Sequence, residues 1–105
     1  MRFAIVLAPN AVDALKALPA RTRTTVRDAF ERHLRYEPRK SSKSRIKQLR
    51  GLQRPQFRLR VDEIRVFYDV TTTTVEILAI IGKHEAQAWL ADSGTSEPDG
   101  GPRQG

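Results

Sequence analysis

The stretch FRLRVDEIRVFYDVTTTTVEILAIIG (residues 57–82) decides the fold. Its first five residues alternate, with Phe57, Leu59 and Val61 on one side and Arg58 and Arg60 on the other. That two-residue period belongs to a strand with one buried face. Asp62-Glu63 makes a tight turn. Ile64, Val66, Tyr68 and Val70 then alternate against Arg65, Phe67 and Asp69. Thr71 to Thr74 read as a hairpin loop. Residues 75–81 are nearly all apolar, as in a central strand, and Gly82 breaks them. Strands joined by such short turns form an antiparallel meander. One face should meet a core, and the other should present Arg58, Arg60 and Arg65 to solvent.

Upstream, residues 2–8 form an aliphatic run that reads as a strand. It is far too short to span a membrane, and no membrane partner is expected. Asn10 is placed to cap a helix in which Val12, Leu15 and Leu18 share one side. Pro19 stops that helix. A second helix should run from about Arg21 to Tyr36, with Val26, Ala29, Phe30 and Leu34 as its core stripe. His33 borders this stripe and reads as a helix-surface or boundary residue. Pro38 ends the helix, and the two helices form a hairpin. Residues 39–45 (RKSSKSR) read as a basic loop. Residues 47–52 (KQLRGL) start as a short strand and turn at Gly51, and QRPQ (53–56) is a turn or bulge. Beyond the meander, residues 83–91 form a short last helix carrying Ala86, Trp89 and Leu90. Residues 92–105 contain no large apolar side chain and read as a disordered polar tail. The expectation is an α+β domain over residues 1–91. It has an N-terminal strand, a helix hairpin, a three-stranded antiparallel meander completing a four-stranded sheet, and a short C-terminal helix.

The chain has 105 residues, no cysteine and a net charge of +7. That length supports one domain. Disulfides, thiolate metal sites and cysteine nucleophiles are excluded, and a reducing cytoplasm fits. His33 and His84 have no ligand spacing, so no metal is expected, and no cofactor. The charge is concentrated. Fifteen of the nineteen Lys and Arg residues lie between Arg21 and Arg65, against five acids, a local balance of +10. A field of that sign and density favours polyanions, nucleic acid first.

The ordered set KQLRGL (47–52), FRLRV (57–61), IRVFYDV (64–70) and VEILAIIGKHEAQAWL (75–90), after a helix hairpin, resembles the RelE/ParE superfamily of type II toxin–antitoxin toxins. The likeness covers about residues 2–91. It implies a small toxin neutralised by a cognate antitoxin, with operator DNA reached only through that antitoxin. One branch of the superfamily binds the ribosome and cuts messenger RNA. Another poisons DNA gyrase without nuclease chemistry. The RelE-like branch, a ribosome-dependent mRNA endoribonuclease, is the leading expectation, and the gyrase inhibitor is the alternative.

Cutting RNA without a metal needs a base for the ribose 2′-OH, cations for the charged transition state and a proton for the leaving oxygen. Arg58, Arg60 and Arg65 suit the second task, since a guanidinium grips two phosphate oxygens. In RelE-like nucleases lysines often match Arg58 and Arg60. Arginine holds its proton, so proton transfer falls to His84, whose residue type titrates near neutrality. Such nucleases often carry a tyrosine near the end of the domain, where this chain has Trp89. Lys83 adds phosphate attraction, and Glu85 is a weaker base that also favours a helix start. Arg39, Lys40, Lys43, Arg45, Lys47 and Arg50 are expected to hold RNA backbone through counterion release.

Overall fold

The computed structural model describes residues 1–96. The meander lies where the alternation places it: β4 is Phe57–Val61, β5 is Ile64–Val70 and β6 is Thr74–Gly82. Ahead of them come β1 (Ala4–Leu7), α1 (Pro9–Ala17), α2 (Ala20–Ala29), β2 (Ile46–Gln48) and β3 (Leu52–Arg54). After them come α3 (Ala86–Ser93) and β7 (Thr95–Ser96). The main sheet runs β1-β6-β5-β4-β2, with β1 parallel to β6 and the other pairs antiparallel. The fold class is the one the sequence implies, and β2 adds a fifth strand to the four expected.

The two helices cover one face of this sheet. Ala11 and Leu15 from α1 and Val26, Ala29, Phe30 and Leu34 from α2 and its extension are buried. They pack on Phe57, Leu59, Val61, Val66, Tyr68, Val70, Val75, Ile77 and Ile80. The α2 stripe is therefore the one its spacing implies. Its last turn, Phe30–Leu34, widens to a π-helix. Tyr68 is fully buried, and its hydroxyl donates to the Pro38 carbonyl at 2.7 Å. Burial raises its pKa far above the ordinary phenol value. This bond fixes the point where the basic loop leaves the helix.

Three expectations are corrected. Asn10 does not cap α1. The helix starts at Pro9 with Ala8 as its N-cap, and no side chain caps it. Asn10 instead donates its amide to the Leu78 carbonyl at 3.0 Å. Leu78 is the extra residue of a β-bulge, where Phe67 faces Ala79 while Tyr68 faces Ile77. The last helix begins at Ala86 rather than Lys83, because residues 83–85 are held in a turn. There Lys83 N donates to the Glu63 carbonyl at 2.8 Å and Glu85 N to the Gly82 carbonyl at 3.0 Å. Finally, the expected boundary at residue 91 falls inside α3, and Thr95–Ser96 pair with β3 as a two-stranded sheet. The backbone bonds of that pairing order residues too polar to order themselves. The rest of the expected tail, residues 97–105, lies outside the described residues.

Candidate functional site

The second face of the sheet carries the cations. Arg58 stands beside Lys47 of β2 on one side and Phe67 of β5 on the other, and Arg60 pairs across from Arg65. Phe67 is an apolar residue on the side that alternation assigns to solvent. It is buried because Trp89 of α3 stacks on it, with centroids 4.9 Å apart and planes 15° apart. Trp89 thus anchors α3, though on the sheet face opposite the main core. It is that helix's principal hold, since no α3 residue is fully buried.

Between β2, β4, β5 and α3 lies a cavity of about 380 Å³. It gathers Lys47, Arg58, Arg65, Lys83 and His84 over an apolar wall of Leu49, Phe67 and Leu90, with Ala86 and Gln87 at the rim. Among the described residues no carboxylate lines it. The Arg58 Nε is buried and has no hydrogen-bond partner among the described residues. Burial, then the charges of Arg65 and Arg60, pull the Arg58 pKa below its usual value. A guanidinium held among like charges is a waiting anion site. Arg65 is aimed by the hairpin turn, its Nη1 donating to the carbonyls of Asp62 at 2.8 Å and Ile64 at 3.1 Å. Asp62 takes φ 52°, a left-handed conformation that Asp tolerates. Lys83 is steadied by Glu63, with Nζ to Oε1 at 3.2 Å. His84 is exposed in the turn between β6 and α3. Glu85 provides the N-cap residue of α3 without a side-chain cap bond.

The other expected site residues lie elsewhere. Arg60 is exposed on the same face but does not line the cavity. The wall made by Lys47 and Leu49 runs beside Arg58, while Arg60 sits beyond the end of β2, where its N–H bonds the Arg45 carbonyl at 2.8 Å. Arg50 shares a separate, polar cavity of about 560 Å³ with Ser41, Ser42 and Lys47. Lys40 meets Glu37 at 3.7 Å, and Lys43 is exposed in the loop. Arg39 lies over the Phe3 ring at 5.9 Å and bonds the Thr71 carbonyl at 3.1 Å. Thr71 is six residues along from Arg65, about 20 Å at the rise of a strand. The expected RNA-holding run is thus divided between the cavity, its flank and the far end of the sheet.

Alternation could not reveal a second polar cluster. Asp69 is only 8% exposed and accepts from Gln56 N at 2.8 Å and Arg54 Nε at 2.8 Å. Arg54 also reaches Glu76 at 3.2 Å. This cluster fixes the far ends of β5 and β6. Leu49, Gln87 and Leu90 fall within the quoted segments, but none of them is expected there as a site residue. Among the described residues no group of three His, Cys, Asp or Glu side chains is placed to hold a metal ion. No helix among them is long and apolar enough to cross a membrane.

His33 sits half-buried in the π-helical turn, as a boundary residue should. Burial, with Arg45 and Arg32 adding to it, lowers its pKa below the ordinary value. The unfolded chain therefore takes up this proton at a higher pH than the folded one does. Folding stability should fall as pH drops through the ordinary imidazole range near 6.5 and level off below the folded pKa. Urea midpoints at pH 7.5 and 5.5 measure this fall, and His33→Gln should reduce it.

No family model matches the chain, and no curated protein matches it. Solved structures do. A chain of the archaeal RelE–RelB complex from Pyrococcus horikoshii is 26% identical with a TM-score of 0.60, over 79% of this chain and 97% of that one. A chain of the RelB–RelE antitoxin–toxin complex from Methanococcus jannaschii is 17% identical with a TM-score of 0.58, over 80% and 96%. The YoeB dimer from Staphylococcus aureus gives 15% and 0.55, over 75% and 94%. The chain therefore has the fold of RelE-like toxins of toxin–antitoxin systems.

Proposed function

We propose that this protein is the toxin of a type II toxin–antitoxin system and cuts messenger RNA on the ribosome in the cytoplasm. A cognate antitoxin holds it inactive, and operator DNA is reached through that antitoxin. The observation that carries the reading is the cavity in which Lys47, Arg58, Arg65, Lys83 and His84 meet, with no carboxylate among the described residues that line it. An acid in that wall would repel the phosphodiester. The likeness to chains crystallised as RelE–RelB complexes supports the antitoxin.

In this reading the neutral imidazole of His84 takes the proton of a ribose 2′-OH. The 2′ oxygen bonds to the adjacent phosphorus and the bond from phosphorus to the 5′ oxygen breaks. The products are a 2′,3′-cyclic phosphate and a 5′-hydroxyl, whose proton comes from water because the two arginines keep theirs. Arg58 and Arg65 stabilise the charge that builds on the non-bridging oxygens. Lys47 and Lys83 draw the strand in, and Leu49 and Leu90 take the base beside the cut. Trp89, with one face occupied by Phe67, serves as an anchor for the cavity wall.

Primer extension on a translated message tests this. Wild-type protein should give new 5′ ends only when ribosomes translate, and His84→Gln should lower their yield by about 10²- to 10⁴-fold. Growth arrest that survives both His84→Gln and Arg65→Ala, with intact message, would instead favour the gyrase-inhibitor reading.

A further inference from the structure

We infer that the same cavity binds free nucleoside diphosphates, so that mononucleotides compete with RNA for it. The inference concerns the ligand class of the pocket itself, and only the competition with RNA rests on the proposed function. It starts from a charge mismatch. Lys83 already has Glu63 as a partner. Among the described residues, no carboxylate lies within ion-pair distance of Lys47, Arg58 or Arg65. Three cations therefore face one cavity of about 380 Å³, near the lower end of small-ligand sites and sized for a single nucleotide. An internucleotide phosphate brings one negative charge into that space and leaves two cations unmatched. A terminal phosphomonoester brings about 1.5 to 2 charges at pH 7, and a diphosphate more.

A second feature favours a terminal phosphate. Ala86 and Gln87, the first two residues of α3, form the rim, and no side chain caps that helix end. The Ala86 N–H donates to the Lys83 carbonyl at 3.4 Å, and the positive dipole end of the helix adds to the field that an anion meets there. The remaining wall is apolar, with Leu49, Phe67 and Leu90 offering a surface on which a base can lie. The Gln87 amide can both donate to and accept from a base edge. The diphosphate then sits between Arg58, Arg65 and the α3 end, with the base toward Leu49 and Leu90.

Trp89 is the chain's one tryptophan and stacks on Phe67 in the cavity wall, so its fluorescence reports on the pocket. The full-length protein is titrated with GDP, GMP, inorganic pyrophosphate and guanosine. GDP should bind at least tenfold more tightly than GMP, pyrophosphate should bind more weakly than GDP, and guanosine should give no saturable change. Arg58→Gln should weaken GDP at least tenfold. Lys47→Gln, at an exposed position that the core does not use, should weaken it severalfold and flatten its salt dependence. Lys16→Gln, on the exposed side of α1, should change nothing. GDP should also displace a labelled single-stranded oligoribonucleotide. Absence of GDP binding at millimolar concentration, or equal weakening by Lys16→Gln and Lys47→Gln, overturns the inference. GDP binding without message cutting would leave the inference standing and remove the nuclease reading. Message cutting without GDP binding would do the reverse.

Discussion

Arg58→Met should remove message cutting and raise the stability of the folded protein together. A preorganised donor aimed at developing charge contributes about 10²- to 10³-fold to a rate. In the proposed reaction Arg58 is such a donor, with an Nε unpartnered among the described residues and two neighbouring guanidinium groups. In the resting protein the same features are a burden. Its charge is partly desolvated, faces Arg65 and Arg60, and has no acid to answer it among the described residues. Methionine keeps the unbranched stem against Phe67 and Leu49 and removes the charge. Its urea midpoint should therefore exceed that of the wild type at low salt. Added salt should narrow the gap, because it screens the repulsion that only the wild type carries. A midpoint below wild type would mean that Arg58 has a stabilising partner, and the anion-site argument would lose its basis.

The residue next along β4 should behave in the opposite way. Leu59 is fully buried, packed in the main core beneath the strand that carries Arg58 and Arg60. Leu59→Ala deletes buried methyl groups and leaves a cavity, which costs about 2–5 kcal/mol. In a domain of this size that is a large part of the total stability. Equilibrium urea unfolding followed by Trp89 fluorescence should show a midpoint lowered accordingly, with little change in slope. Any loss of cutting in this variant should track the folded fraction. A drop under 1 kcal/mol would mean that the two faces of β4 are not divided as described.

Strands β4 and β5 could be read to the residue, because their core-facing side chains, Phe57, Leu59 and Val61 and then Ile64, Val66, Tyr68 and Val70, recur at every second position. The helix stripe Val26, Ala29, Phe30, Leu34 was equally legible. Strand β2 was legible in part, as the short strand expected to start at Lys47, while β3 and β7, two or three residues long and mostly polar, were not. Such strands exist through their partners, and local sequence holds no record of that. The bulge in β6 was hidden for a different reason: VEILAII is so uniformly apolar that its alternation cannot be followed. Of the candidate site, Arg58, Arg65, Lys83, His84 and Lys47 line one cavity. Arg60 shows the limit of the reasoning, since sharing a sheet face does not mean sharing a cavity. Phe67 carried a signal that could have been used. An aromatic residue between Arg65 and Asp69 on the outward side implies a cover, and α3 is that cover.

The extra residue at Leu78 has a consequence for how the cavity came to be assembled. Before it, Val75 and Ile77 point to the core; after it, Ile80 does, with Ala79 and Ile81 opposite Phe67 and Arg65. Side chains change sides at every step of a strand, so one surplus residue inverts everything downstream. Deleting it would send the run toward Lys83 and His84 out of phase with the arginines of the neighbouring strands. A single codon thus separates a sheet that joins its imidazole to its guanidinium groups from one that keeps them apart, and the Asn10 amide on the Leu78 carbonyl is the clasp that holds the first arrangement.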